Sequence, residues 1–112
     1  MALALSVTQI LPMQVFRATL ADLNALEITI GAGIRLIYVV TETVPSLFSH
    51  AGTDGGALSA NFATIPVNTA LPVPVGGDIA GFNRLASFFI ATLAPPAPVA
   101  FICLTDEAGA RP

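Results

Sequence analysis

Leu85-Ala86-Ser87-Phe88-Phe89-Ile90-Ala91-Thr92-Leu93-Ala94-Pro95-Pro96-Ala97-Pro98-Val99-Ala100-Phe101-Ile102-Cys103-Leu104-Thr105 carries no charged residue. Length alone would admit a membrane-spanning helix, which needs about 20 mainly apolar residues. Three features make it a pair of strands instead. Pro95, Pro96 and Pro98 fall in the middle, where a helix would lose hydrogen bonds and clash with its own carbonyls. The flanks, Ser87-Phe88-Phe89-Ile90 and Val99-Ala100-Phe101-Ile102, are rich in aromatic and β-branched side chains that favour extended backbone. The prolines then supply a turn between two apolar runs. The expectation is two strands, Leu85–Leu93 and Val99–Leu104, and no membrane span.

Working outward, the same punctuation recurs. Ile34 to Thr41 is the strongest strand, and Gln14 to Leu20 and Ala25 to Ile30 read as strands before it. Leu26, Ile28 and Ile30 share one face, Glu27 and Thr29 the other, and Gly31-Ala32-Gly33 breaks the run. Pro45 turns the chain into Ser46–Ser49, and His50 to Gly56 is dense in turn formers. Leu58 to Val67 is extended. Leu71 to Val75 carries Pro72 and Pro74, which confines it to an edge or an extended loop. Two segments, Leu36–Val40 with Leu47–Phe48 and Phe88–Ile90 with Val99–Phe101, read as hairpins around proline-bearing turns. Nowhere do apolar residues recur at helical spacing for three turns. The pattern predicts an all-β fold of seven or eight short antiparallel strands, a β-sandwich or jelly-roll-like arrangement, with a small barrel as the neighbouring alternative. A chain of 112 residues suits one such domain. Residues 1–12 form an N-terminal arm or first strand, 13–106 the sandwich, and 107–112 a polar tail.

The strands are apolar on both sides. Leu36-Ile37-Tyr38-Val39-Val40 places large side chains on both faces, and the adjacent pairs Phe88/Phe89 and Phe101/Ile102 must point in opposite directions. One member of each pair can enter a core. The other needs a cover: a folded-back loop, a second copy or another protein. Leu3, Leu5 and Val7 give the N-terminal segment one sticky face, suited to adding to a sheet edge. The candidate protein–protein contacts are therefore Leu3, Leu5, Val7, Tyr38, Phe88, Phe89, Phe101 and Ile102.

Composition points the same way. Charged residues make up 10% against 54% hydrophobic, and there is no lysine. A solitary soluble domain carries about 25% charged residues, so partner protein is expected to cover part of this surface. The net charge of −3 and four scattered arginines do not make a phosphate-binding stripe, so no nucleic-acid partner is expected. Met1 to Val7 lacks the positive region and cleavage site of a signal peptide.

Chemistry is thinly represented. His50 is the one histidine, with Ser49 beside it and Asp54 four residues on; a single turn-rich loop seldom builds a triad and oxyanion hole. Cys103 is the one cysteine, reads as a buried small hydrophobe, and forms no zinc pattern with His50. Gly52-Thr53-Asp54-Gly55-Gly56 lacks calcium-loop spacing. No catalytic residue, metal or cofactor is expected.

The Arg35-Leu36-Ile37-Tyr38-Val39-Val40 strand, the glycine-rich loop at Gly52–Gly56, the extended Phe62-Ala63-Thr64-Ile65-Pro66-Val67 segment and the late pair of apolar strands before an acidic tail resemble the small β-rich virion proteins of tailed phages. The resemblance covers about two thirds of the chain. It implies a capsid decoration (cement) protein at the capsid surface, made in the host cytoplasm, which binds the major capsid protein or another virion protein. Self-association, to a trimer among other states, is part of that expectation. A neck, tail or baseplate adaptor and a β-barrel module for a glycan or small ligand remain the alternatives.

Overall fold

The computed structural model describes residues 2–7, 12–76 and 84–105. Its strands are β1 (Leu3–Leu5), β2 (Met13–Leu20), β3 (Leu26–Ile30), β4 (Ile34–Thr41), β5 (Ser46–Ser49), β6 (Ala63–Ile65), β7 (Ala70–Pro74), β8 (Ser87–Ala91) and β9 (Ala97–Thr105). They form a five-stranded sheet, β1-β3-β8-β5-β6, and a four-stranded sheet, β2-β9-β4-β7. The fold is all-β and sandwich-like, and no helix among the described residues is long and apolar enough to cross a membrane. Among the described residues there are nine strands in place of the expected seven or eight, with Leu3–Leu5 and Ala63–Ile65 pairing as short edges. One pairing, β1 on β3, is parallel rather than antiparallel.

Leu5, Ile28, Phe88 and Ile90 from the first sheet meet Ile37, Val39, Val99, Phe101 and Cys103 from the second in one core. The Phe88 ring lies 5.3 Å from Phe48 and 6.3 Å from Phe101, so an aromatic column ties the two layers.

The two expected proline hairpins are not hairpins. β4 and β5 lie in different sheets, as do β8 and β9. Each proline turn carries the chain across the sandwich, because every strand concerned buries one face against the opposite layer. Thr92, fully buried, ties the two crossings together by donating to Pro45 O at 3.2 Å and accepting from Ala94 N at 3.1 Å. At the far end, the Arg84 guanidinium donates to the carbonyls of Gly31 and Ile34 at 2.5 and 2.7 Å, closing the β3–β4 turn. Thr41 Oγ1 donates to Pro66 O and accepts from Thr69 N at 3.1 Å, anchoring the β6–β7 turn where Asn68 takes a positive φ of 54°.

Hydrogen-bond phase explains how prolines enter these strands. Thr105 N donates to Pro12 O, so β9 residues in phase with Thr105 face β2 and the alternate ones face β4. Pro98 therefore aims its missing N–H past the end of β4, where no ladder bond is lost. Val75 N donates to Arg35 O, so the alternate positions of β7, Pro72 and Pro74, face the open edge. They cost the sheet nothing and leave Ala70 as the one strand residue with an N–H on that edge.

Candidate interaction surface

Register places the outward side chains of the four-stranded sheet in rows. Met13, Leu104, Leu36 and Pro74 form one row, and Val15, Ile102, Tyr38 and Pro72 the next. Arg17, Ala100, Val40 and Ala70 form the third. Three such rows, ~6.7 Å apart with strands ~4.8 Å apart, cover on the order of 400 Å². Apart from Arg17 the rows are apolar, and an apolar patch of this order on a small domain is often an interaction site. Met13 and Val15 are 50% and 56% exposed, while Leu36, Tyr38, Ile102 and Leu104 are half-buried.

One end of the face is polar. Arg17 Nη1 bonds Glu42 Oε2 at 2.7 Å across β9, passing the small Ala100. The hydrogen bond from Arg17 holds the Glu42 carboxyl below its usual range. Arg35, at the bulge that shifts the β4–β9 register, donates from Nε to Thr105 O at 3.1 Å. Together with Arg84, every arginine among the described residues has an acceptor, and none is free to form a basic patch.

The opposite outer face is built differently. The loop after β5 crosses it and hydrogen-bonds to the segment leading into β3: Ala25 N donates to Gly56 O, Gly55 N to Ala25 O, and Glu27 N to Asp54 Oδ1 at 2.9 Å. Beneath it lies Phe89. A Cβ at Gly52 would stand 3.2 Å from Phe89 Cγ and 3.2 Å from Ala57 O, a closer approach than most Cβ atoms make, so a side chain there would press on the ring and on the loop. Gly55, with φ of 74°, makes the turn that brings the loop back.

These facts sort the sequence candidates. Leu5, Phe88 and Phe101 are fully buried in the core, and Phe89 is buried beneath its own loop. None of the four is presented to a partner, because the opposing sheet or the loop already covers it. Leu3 packs partly buried against the core, with its carbonyl accepting from Thr29 Oγ1 at 3.4 Å, and Val7 is exposed beyond β1. Tyr38 and Ile102 are adjacent on the bare face. Sequence reasoning missed Met13 and Val15, and it read Leu36 and Leu104 as parts of doubly apolar strands without naming them as contacts; these four complete that face. The signal was present in the adjacent apolar residues Val15 and Phe16, which must face opposite ways in a strand.

A second apolar spot, missed likewise, is a shallow groove of about 260 Å³ lined by Leu23, Leu47, Leu58, Phe62 and Leu93. Leu93 is 77% exposed at its rim.

The reactive residues separate. Ser49 Oγ donates to Asn61 O and accepts from Ala51 N, Asp54 accepts from Glu27 N, and His50 is exposed. Cys103 is buried in the core, where desolvation pushes its thiol up to about 11. Among the described residues, no three His, Cys, Asp or Glu side chains gather where a metal ion could be held. Comparison with protein-family models, curated proteins and solved structures yields no match to the chain.

Proposed function

We propose that this chain is a non-enzymatic structural subunit that docks on another protein through the outer face of its four-stranded sheet. The observation that carries the reading is the contrast in cover. The loop at 50–62 shields one outer face, while the apolar rows centred on Ile102 and Tyr38 have no such loop tied across them among the described residues. Burying such a face contributes about 25 cal/mol per Å² before association costs, and a particle that repeats the contact over many sites multiplies the gain. Low charge and the absence of lysine suit a surface that spends its working life covered.

The specific form of the proposal follows the resemblance to small phage virion proteins: a jelly-roll-like capsid decoration protein seated on the major capsid protein. The test is particle composition. In virions whose genome encodes this chain, quantitative mass spectrometry should find it in proportion to the major capsid protein. Ile102→Lys should leave the capsid intact but strip the chain from it. The copy number of a single ring would move the chain to the neck or tail, and absence from the particle would overturn the virion reading.

A further inference from the structure

Among the described residues the two sheets have four edges, and three are blunted. β1 and β6 are three-residue strands, and β6 runs into Pro66. β7 turns Pro72 and Pro74 toward the open side. Short strands and prolines are the usual guards against edge-to-edge pairing. β2 has neither. It is an eight-residue strand, Met13–Leu20, without proline or lysine, and among the described residues it is bonded along one side, to β9.

Phase identifies its open groups. Because Pro12 O accepts from Thr105 N, the residues of β2 in phase with Pro12 face β9. The N–H and C=O groups of Met13, Val15, Arg17 and Thr19 therefore face outward from the sheet edge, and no described residue bonds them.

We propose that this edge pairs with the β2 edge of a second copy, antiparallel about a twofold axis at Phe16. One register fits. Met13 then faces the second copy's Thr19, and Val15 faces its Arg17, so each of the four outward-facing residues exchanges both of its backbone bonds. A one-residue slip sets inward side chains against outward ones, which the pleat forbids. A two-residue slip leaves Met13 or Thr19 unpaired, and in one direction sets Arg17 against Arg17, like charges in direct opposition. The strand is thus complementary to itself, as an isologous interface requires. Pairing would also join the two four-stranded sheets into one, with their apolar outer faces side by side. The proposal rests on the backbone edge and stands independently of what docks on that face.

The experiment is sedimentation equilibrium over a concentration series with three variants. The full chain should double its 11.5 kDa mass as concentration rises. Val15→Pro removes an edge-facing N–H and no bond to β9, and should weaken the dimer roughly 30-fold or more, for the two bonds lost per pair. Val15→Thr keeps the N–H and the strand propensity, and should remain a dimer. Ile102→Lys damages the face but not the edge, and should also remain a dimer. Amide hydrogen exchange on the unaltered chain gives an independent readout: Val15 and Arg17 amides should gain protection as the mass doubles. A monomer up to millimolar concentration overturns the proposal. So does a dimer that dissociates with Ile102→Lys but not with Val15→Pro, or one whose Val15 and Arg17 amides stay unprotected.

Discussion

β8 and β9 both turn large apolar side chains away from the core, and the molecule treats them in opposite ways. Phe89 on β8 is roofed by a loop that reaches across the five-stranded sheet and is bonded to the backbone at Ala25 and Glu27. Ile102 on β9 sits among Val15, Tyr38 and Leu104 with no such roof among the described residues. The same composition in a strand thus has two meanings. Under a roof it is a second, small core; in the open it is an apolar outer face, the one proposed to dock.

The comparison fails if the two sides respond alike to truncation. Phe89→Ala should cost about 3 kcal/mol, because it empties a site closed by backbone on one side and sheet on the other. Ile102→Ala should cost about 1 kcal/mol, since part of that side chain is already in water. Equal shifts in urea midpoint would mean that both faces are covered.

The roof itself can be strained. Gly52→Val should destabilise the fold by about 2 kcal/mol by overpacking the contact with Phe89 and Ala57. It should also open the 50–62 loop to limited proteolysis. Unchanged proteolysis would show that the loop is not held by that contact.

Core titration gives a smaller effect. The Cys103 thiol is raised from 9.0 to about 11, so its neutral form is favoured by folding. Its contribution is complete below pH 9 and is lost as pH climbs toward about 11, because the unfolded chain gives up this proton first. The pH dependence of the urea midpoint in wild type, minus that of Cys103→Ala, should show this decline. A thiol reagent at pH 8 should label the unfolded chain only.

The smallest effect belongs to the polar rim of the bare face. Arg17→Ala and Glu42→Gln should leave the urea midpoint unchanged, because the pair stands in solvent and is screened there. Partner binding would be the property to change. A clear loss of stability would mean that the pair is buried.

Much of this was legible in the chain. Alternation and proline punctuation located the strands to within a few residues, because strand side chains report their face directly. Adjacent pairs such as Phe101/Ile102 announced that some apolar groups would face outward. Which of them stay outward was not legible. Covering Phe89 depends on a loop from β5 meeting the start of β3, a contact between segments about 27 residues apart that no local pattern encodes. The proline turns misled for a similar reason. Two strands around a tight turn look alike whether they bond to each other or face each other across a core, and only the opposing layer decides.

The order of the strands has a consequence in time. Among the described strands every consecutive pair except β5 and β6 lies in different sheets, and β9, the last of them in the chain, is central, between β2 and β4. A nascent chain that has made everything up to β8 therefore holds two long strands whose shared neighbour does not yet exist. Their apolar sides stay open to other chains until the final segment arrives. Completion of the four-stranded sheet waits on β9, and weakening that strand should raise the aggregation of newly made chains.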